Sequence, residues 1–467
     1  MNTINDDIAV IGMACLFAEA PDVSTYWENI LAGKCCISDH PSPSAKRYLD
    51  PTSTNFERIY TIRGGYLKEL ATFDPLAFGV MPDSVVGTDP DHFLALRVAK
   101  EALDDAGLSN KPFPRERTDV ILGHGTYINP SNVNWIQHGL VLDQTIDVLR
   151  QVNPGLSEEY LEAVFKKLRA SLPPLNPATV PALIPNIITG RIANRLDLQG
   201  SNYIIDAACS SSLVAISHGI NNLLMNKSDV ALVGGVQACM LPQDIMTFCQ
   251  INALSRRQDA PRPFDKDADG TLFGEGVGVA VLKRRKDAER DGDRIYGLIK
   301  GYGIASDGKS SGILAPRFEG EVLAIRRAYE MAQVDPQSVG LIEAHATGIP
   351  LGDATELRAL TEVRGAPADK DKVPVGSVKS MIGHCVPAAG IGSFIKATLS
   401  LYHKILPPTA NFTAPHPDLH IDRTPYYVNT ETRPWVHGKK DTPRRAGVSA
   451  MGFGGINAHC VLEEYRG

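Results

Sequence analysis

The stretch YIIDAACSSSLVAI, Tyr203 to Ile216, decides how the rest of the chain is read. Tyr203, Ile204 and Ile205 suit a strand, while Ala207, Ala208 and Ser210 to Ser212 make a tight turn of small residues; SSLVAISHGINNLL continues as a helix. A strand running through a short turn into a helix belongs to an α/β sheet, where ligand sites gather at strand ends. Cys209 occupies that turn. An isolated cysteine in such a protein is ordinarily a small buried hydrophobe. At a helix N-terminus, however, unpaired N–H groups favour the thiolate and can stabilise an oxyanion on a thioester carbonyl.

Working outward, short apolar runs read as buried parallel strands: DIAVIG near Ile8, TDVILG near Val120, DVALVGG near Leu232 and VGVAVLK near Val279. Between them PDHFLALRVAKEALDDAG places Phe93, Leu96, Ala99 and Leu103 at helical spacing before Gly107. The second half keeps the same rhythm, with RIYGLIKGYG, VGLIEAH, VPVGSVKS and RAGVSAMGFGG as strands around two further helices. This predicts an α/β fold with a mostly parallel sheet. No internal repeat is visible, yet the matching rhythm permits a structural duplication with a seam at the charged KRRKDAERDGD, Lys283 to Asp293, read as a surface connection. Residues 127–187 read as a helical surface insertion; in SEEYLEAVFKKLRASL the residues Leu161, Val164, Phe165, Leu168 and Leu172 share one face, suited to packing on the body or on a partner subunit.

The 467 residues, 43% of them hydrophobic and 21% charged, suffice for a large buried core. A formal charge of −6 without a basic tract argues against nucleic acid as a partner. No apolar run approaches the roughly 20 residues that span a bilayer, and MNTINDDIAVIG does not resemble a secretion signal, so the expectation is no membrane and a cytoplasmic location. Eight scattered cysteines without a C-x-x-C pair predict neither a disulfide framework nor a metal site.

Two histidines fall in motifs of their own. EAHATGIPLGDATE puts His345 at a strand end, and VGSVKSMIGHCVPAAG puts Lys379 and His384 in a turn rich in Gly and Ser before another helix. A solitary histidine is usually structural, but two at strand ends together with Cys209 suit nucleophilic and acid–base chemistry.

In order and spacing, DAACSSSLVAI, EAHATGIPLGD, GSVKSMIGH and GVSAMGFGGINAH resemble the signature segments of the β-ketoacyl synthases, the condensing enzymes of fatty-acid and polyketide assembly. IAVIGMAC and RPFDKDADGTLFGEGVGVAVLKR add to the likeness, which covers essentially the whole chain, 1–467. The resemblance implies a thiolase-like fold: two βαβαβαβαβ halves, here 5–288 and 289–467, in a five-layer αβαβα arrangement, usually homodimeric. It implies an acyltransferase in which Cys209 takes an acyl group from a phosphopantetheine arm and passes it to a malonyl-type extender on an acyl carrier protein, with loss of carbon dioxide. It gives His345 and His384 to the extender's enolate oxygen, the N–H groups of Cys209 and Phe453 to the acyl oxygen, and a gating role to Phe453. Lys379 and Glu356 match an ion pair beneath the histidines, and Thr347 with position 349 contacts the pantetheine arm. No permanently bound cofactor or metal is implied.

The sequence departs from the family at three places. Ile349 replaces a threonine whose hydroxyl holds the arm, and Met381 and Cys385 stand where Asn and Thr are common. These changes make the surroundings of the catalytic positions more apolar and leave the cysteine, histidines and lysine in place. The ending and the insertion look like condensing domains of large multidomain synthases of polyketide or polyunsaturated fatty-acid type. No acyltransferase, reductase or carrier motif occurs in the sequence, so the carrier is expected to act in trans or from another part of a larger synthase. Two other readings are a non-elongating or chain-length-setting relative, and a thiolase using a second cysteine. Cys460 is the thiolase candidate, but it lies in an apparent strand, NAHCVLEEY, where packing suits it better.

Overall fold

Ten consecutive apolar or small residues, Ile8–Phe17, form a strand (β1) buried along its whole length, as a strand covered on both faces must be. The computed structural model describes residues 7–125, 128–365, 372–436 and 442–467; the first six residues and Tyr127, the expected start of the insertion, lie outside them. After β1 the first half contributes β2 (Thr118–Gly123), β3 (Asn202–Ile205), β4 (Val230–Gln237) and β5 (Gly276–Arg284). The second contributes β6 (Gly297–Ser306), β7 (Leu341–Glu343), β8 (Val373–Gly376), β9 (Tyr426–Val428), β10 (Arg445–Gly452) and β11 (Ile456–Glu463).

The duplication lies in the topology. The first half is ordered β1-β5-β4-β2-β3 and the second β6-β11-β10-β7-β8, with β9 added at the edge. In each half the first strand pairs antiparallel with the fifth and the fifth antiparallel with the fourth, whereas the fourth, second and third run parallel. Antiparallel pairing of β1 with β6, from Ile8 opposite Ile299 to Val10 opposite Gly297, joins the two halves. The mostly parallel sheet expected from the sequence is therefore a mixed one, and DIAVIG and VGVAVLK belong to antiparallel strands. An unbroken apolar run reports burial on both faces and says nothing of strand direction.

Five long helices complete the layers: α1 (Asp91–Asp105), α2 (Ser211–Leu224), α3 (Phe318–Ala332), α4 (Pro350–Arg364) and α5 (Ala389–His403). α2 and α5 sit in the middle. Leu213, Ile216 and Ile220 of α2 and Ile391, Phe394 and Ile395 of α5 share one core with Val233 and Ala280 of the first half and Val448 and Ala450 of the second. Residues Ala389 to Leu401 are buried without a break, which a helix shows when it is covered on all sides. α1 covers the other face of the first half, and α3 and α4 that of the second. The result is the five-layer α/β/α/β/α order.

The seam is a surface link in part: Lys286 and Glu289 to Gly292 are exposed as expected, but its start is not. Lys283 and Arg284 are buried; Lys283 pairs with Asp293 at 2.7 Å and with Asp291, and Arg284 pairs with Asp229 and with Asp287. The buried start of the run is an ion network, in which Lys283 and Arg284 each have two carboxylates within reach. The insertion holds helices at Pro130–Ile136, Leu142–Val152 and Glu158–Ala170. The predicted face of the last one is its covered side, with Leu161 buried and Val164, Phe165 and Leu168 half-buried, and it packs on Leu142–Val152 of the same insertion.

Candidate active site

The turn after β3 is tightly held. Ala208 has φ +49°, a left-handed conformation costing a residue with a Cβ about 1–2 kcal/mol. Two serines offset that strain. The Ser211 hydroxyl bonds Ala208 O at 2.6 Å and accepts the Ala207 N–H at 2.9 Å. The Ser210 hydroxyl lies 2.8 Å from Ala450 O and 3.0 Å from Ile456 O, which ties the turn to the β10–β11 hairpin. Cys209 is thereby fixed two residues before α2, 4% exposed.

Three loops converge on its sulfur. His384 Nε2 is 3.1 Å from Cys209 Sγ, and the His345 and His384 rings meet edge to face with centroids 5.4 Å apart. From the β10–β11 hairpin the Phe453 amide comes near the sulfur, and it and the Cys209 amide favour a negative charge there. Gly454 and Gly455 follow with φ +87° and +76°, a conformation available to glycine at little cost. The Phe453 ring stacks on Phe248 at 5.6 Å, and Phe248 meets Phe273 at 4.6 Å.

α4 positions the His345 loop through its first turns. Glu356 accepts the N–H groups of His345 at 2.8 Å and Ala346 at 2.9 Å, while Asp353 accepts those of Thr347 at 2.9 Å, Gly348 at 3.3 Å and Phe264 at 2.8 Å. This alters the expected Lys379–Glu356 ion pair. Both Glu356 oxygens are occupied by backbone amides, and buried Lys379 is attracted by Glu343 first and Glu356 second without a closed contact to either. The closed buried pair in this region is Lys396 with Glu343, at 2.7 Å.

Burial sets the protonation states. It lowers His345 well below the usual histidine range, with Lys379 and His384 adding to the shift, and it lowers His384 likewise, with Lys379 adding. Both are neutral imidazoles at pH 7. Burial also pushes the Cys209 thiol up to about 11, against the opposing pull of Lys379 and the Phe453 and Cys209 amides. The helix-end argument from the sequence is thus outweighed: desolvation exceeds the stabilisation from the turn, and the closed site holds a thiol with a neutral imidazole beside it.

Two cavities flank the Phe248–Phe453 stack. One, of about 290 Å³, is lined by Cys209, His345, His384, Ile349, Glu321 and Phe453 among others. The second, of about 350 Å³, is lined by Ile128, Trp135, Phe248, Phe273 and Val386, with Asp244 in its wall. Thr347 and Ile349 line the first, so the apolar substitution at 349 faces the cavity. Met381 does not. It is 1% exposed within the central core, so its effect is on packing. Cys385 is buried with Sγ 3.6 Å from Glu275 O, and Cys460 is packed inside β11, where burial raises its thiol to about 12.

Of the residues the sequence singles out, Cys209, His345, His384, Glu356 and Phe453 line one cavity, and buried Lys379 acts on Cys209 and both histidines through its charge. Sequence reasoning missed Asp353, although the three-residue spacing to Glu356 in GDATE places both on one helix face. Nothing local to α5 signals Lys396. A thiol within reach of an imidazole, with two backbone amides nearby that favour negative charge, can attack a thioester carbonyl and stabilise the resulting oxyanion.

Residues 5–288 match the family described as β-ketoacyl synthase, N-terminal domain, and 296–413 the corresponding C-terminal domain. The chain is 37% identical over 98% of its length to a polyunsaturated fatty acid synthase polypeptide of Thraustochytrium and 36% identical over 99% to polyketide synthase PksL of Bacillus subtilis. It spans only 16% of the former and 9% of the latter. Among solved structures, the ketosynthase from module 6 of the Bacillus subtilis bacillaene synthase superposes with a TM-score of 0.80 at 34% identity, covering 99% of this chain and 73% of that one. A Streptomyces albus oxazolomycin ketosynthase domain superposes at 0.83 with 28% identity, covering 99% and 76%.

Proposed function

Because the chain belongs to the β-ketoacyl synthase family, we propose that it condenses a Cys209-bound acyl group with a malonyl-type extender carried by an acyl carrier protein. The observation that carries this reading is the 3.1 Å approach of His384 Nε2 to Cys209 Sγ beneath the Phe453 and Cys209 amides. In the first half-reaction the sulfur attacks the acyl thioester. The proton of the thiol passes to His384 and on to the departing pantetheine sulfur, so one C–S bond replaces another. The two amides hold the oxyanion.

In the second half-reaction the extender's C–CO₂ bond breaks and carbon dioxide leaves. The negative charge goes to the thioester oxygen as an enolate, facing His345 and His384. Neutral imidazoles donate hydrogen bonds there without fixing the extender's carboxylate as an ion pair would. The enolate carbon attacks the Cys209 thioester, a C–C bond forms, the C–S bond breaks, and the Cys209 thiolate released takes a proton from water.

Lys379 and Glu356 orient the histidine loops in this reading. The pantetheine arm passes Thr347 and Ile349, with the methyls of Ile349 giving van der Waals contact where a hydroxyl would bond. The large synthases that contain the relatives support further domains of such an assembly as partners. A homodimer is supported by β3 at the sheet edge and by exposed Ile128, Trp135, Ile136 and Leu140 of the insertion. The test is to mix acylated protein with malonyl carrier protein and weigh the product. A β-keto chain two carbons longer is expected; acyl transfer without elongation would instead favour a non-elongating relative.

A further inference from the structure

Glu321 belongs to no part of the machinery above, yet it lines the reaction cavity. It sits in the first turn of α3, 2% exposed, and its Oε2 is sealed from solvent with no hydrogen-bond partner. The nearby cavity wall is otherwise largely apolar, with Ile313, Leu314, Ala315, Pro316, Ile349 and Met451. A buried carboxyl left unpaired is unfavourable; Oε2 is sealed off, so a contact from the cavity that Glu321 lines falls to Oε1, which no donor or acceptor among the described residues meets.

On the reading that this cavity receives acyl–pantetheine thioesters, we propose that Glu321 is a specificity-determining residue that donates a hydrogen bond, as a neutral carboxylic acid, to a neutral acceptor oxygen of the bound ligand. Geometry and charge agree on the neutral form. Glu356 of α4 and Asp307 of the loop after β6 are the charged groups that repel a negative charge on it. Neither supplies a proton donor: Glu356 accepts two amides, and Asp307 accepts the Asn457 side-chain amide at 2.7 Å. Arg317, the nearest cation on the same helix end, spends its guanidinium on the Asp307 and Lys309 carbonyls and on Glu319. Burial then holds Glu321 well above the usual carboxylate range. The same two carboxylates oppose an anionic acceptor, which leaves a carbonyl or hydroxyl oxygen. The arm's amides and an oxygen at the β-carbon of the acyl chain both offer that chemistry.

The experiment is the rate of Cys209 acylation by pantetheine thioesters of a saturated acid and of its 3-hydroxy analogue, in wild type, Glu321→Leu and Glu321→Gln. Glu321→Leu should lose about tenfold in kcat/KM, mostly through KM, while Glu321→Gln, which retains a donor, should stay within about twofold of wild type at pH 7. Equal losses on both thioesters assign the acceptor to the arm; a loss confined to the 3-hydroxy substrate assigns it to the chain. Glu321→Ala, smaller than Leu and equally unable to donate, should lose acylation to the same extent and carries the proposal if Glu321→Leu does not fold. Undiminished acylation in the folded Glu321→Leu or Glu321→Ala variant overturns the proposal and leaves the condensing reading intact. A wild type that accepts no acyl group overturns both.

Discussion

Glu356 holds His345 by its backbone: the carboxylate accepts the His345 N–H at 2.8 Å with one oxygen and the Ala346 N–H at 2.9 Å with the other. The catalytic-loop geometry therefore depends on an acceptor-only group at position 356. Glu356→Gln places an NH₂ against one of those amides. It should lower elongation about 10- to 100-fold, the range seen when supporting contacts are lost, while acyl loading of Cys209 changes little. Steady-state rates of the two half-reactions measure this; equal losses in both would mean a general collapse of the site.

In the proposed mechanism the histidines divide the work unequally, because of the two only His384 touches the sulfur. His384→Ala should slow loading as well as elongation, whereas His345→Ala should load Cys209 at near wild-type rate and fail to release carbon dioxide from a malonyl thioester. Carbon dioxide release from labelled malonyl carrier protein separates the two variants.

With the thiol raised to about 11 by burial, the thiolate fraction at pH 7 is small and grows about tenfold per pH unit. The sign follows from the shift: a raised thiol pKa leaves the neutral form dominant below it. Alkylation by iodoacetamide, which consumes thiolate, should climb steadily from pH 7 to about 9.5. A plateau below pH 8 would show that the helix end and Lys379 outweigh burial after all.

Lys396 and Glu343 form a fully buried pair at 2.7 Å, with Glu343 Oε1 also accepting the Val378 N–H at 2.7 Å. Removing the cation alone leaves a buried charge, and Lys396→Met should cost about 3–5 kcal/mol in chemical denaturation. Lys396→Met combined with Glu343→Leu should recover only part of that loss, since the buried Lys379 then loses the first of the carboxylates that attract it.

Gly303 on β6 lies where α3 crosses the sheet, and a Cβ there would sit 2.0 Å from Ala324 O. Gly303→Ala pushes backbone against backbone and should destabilise the second half by more than about 3 kcal/mol. A thermal unfolding curve matching wild type would contradict this packing.

Much of the site was legible because its chemistry is local. A cysteine in a small-residue turn, histidines just past apolar strands and the GFGG hairpin each declare themselves within about ten residues. What escaped was set by distance and solvation. VGVAVLK does not state which neighbours it pairs with, and they make it antiparallel. The helix-end argument for a Cys209 thiolate counted the amides and left out the desolvation that the surrounding loops impose. Lys396, Asp307 and Glu321 acquire their meaning only when residues tens of positions away close around them. Met381, next to a catalytic turn in sequence, faces the core instead of the cavity.

The central claim is that Cys209 carries the acyl chain. Intact-protein mass spectrometry after incubation with an acyl-pantetheine thioester tests it most directly, with peptide mapping of the product. A single added acyl mass on the Cys209 peptide is expected in wild type and none in Cys209→Ala. Undiminished labelling of Cys209→Ala, or an acyl group mapped to another cysteine, would contradict it.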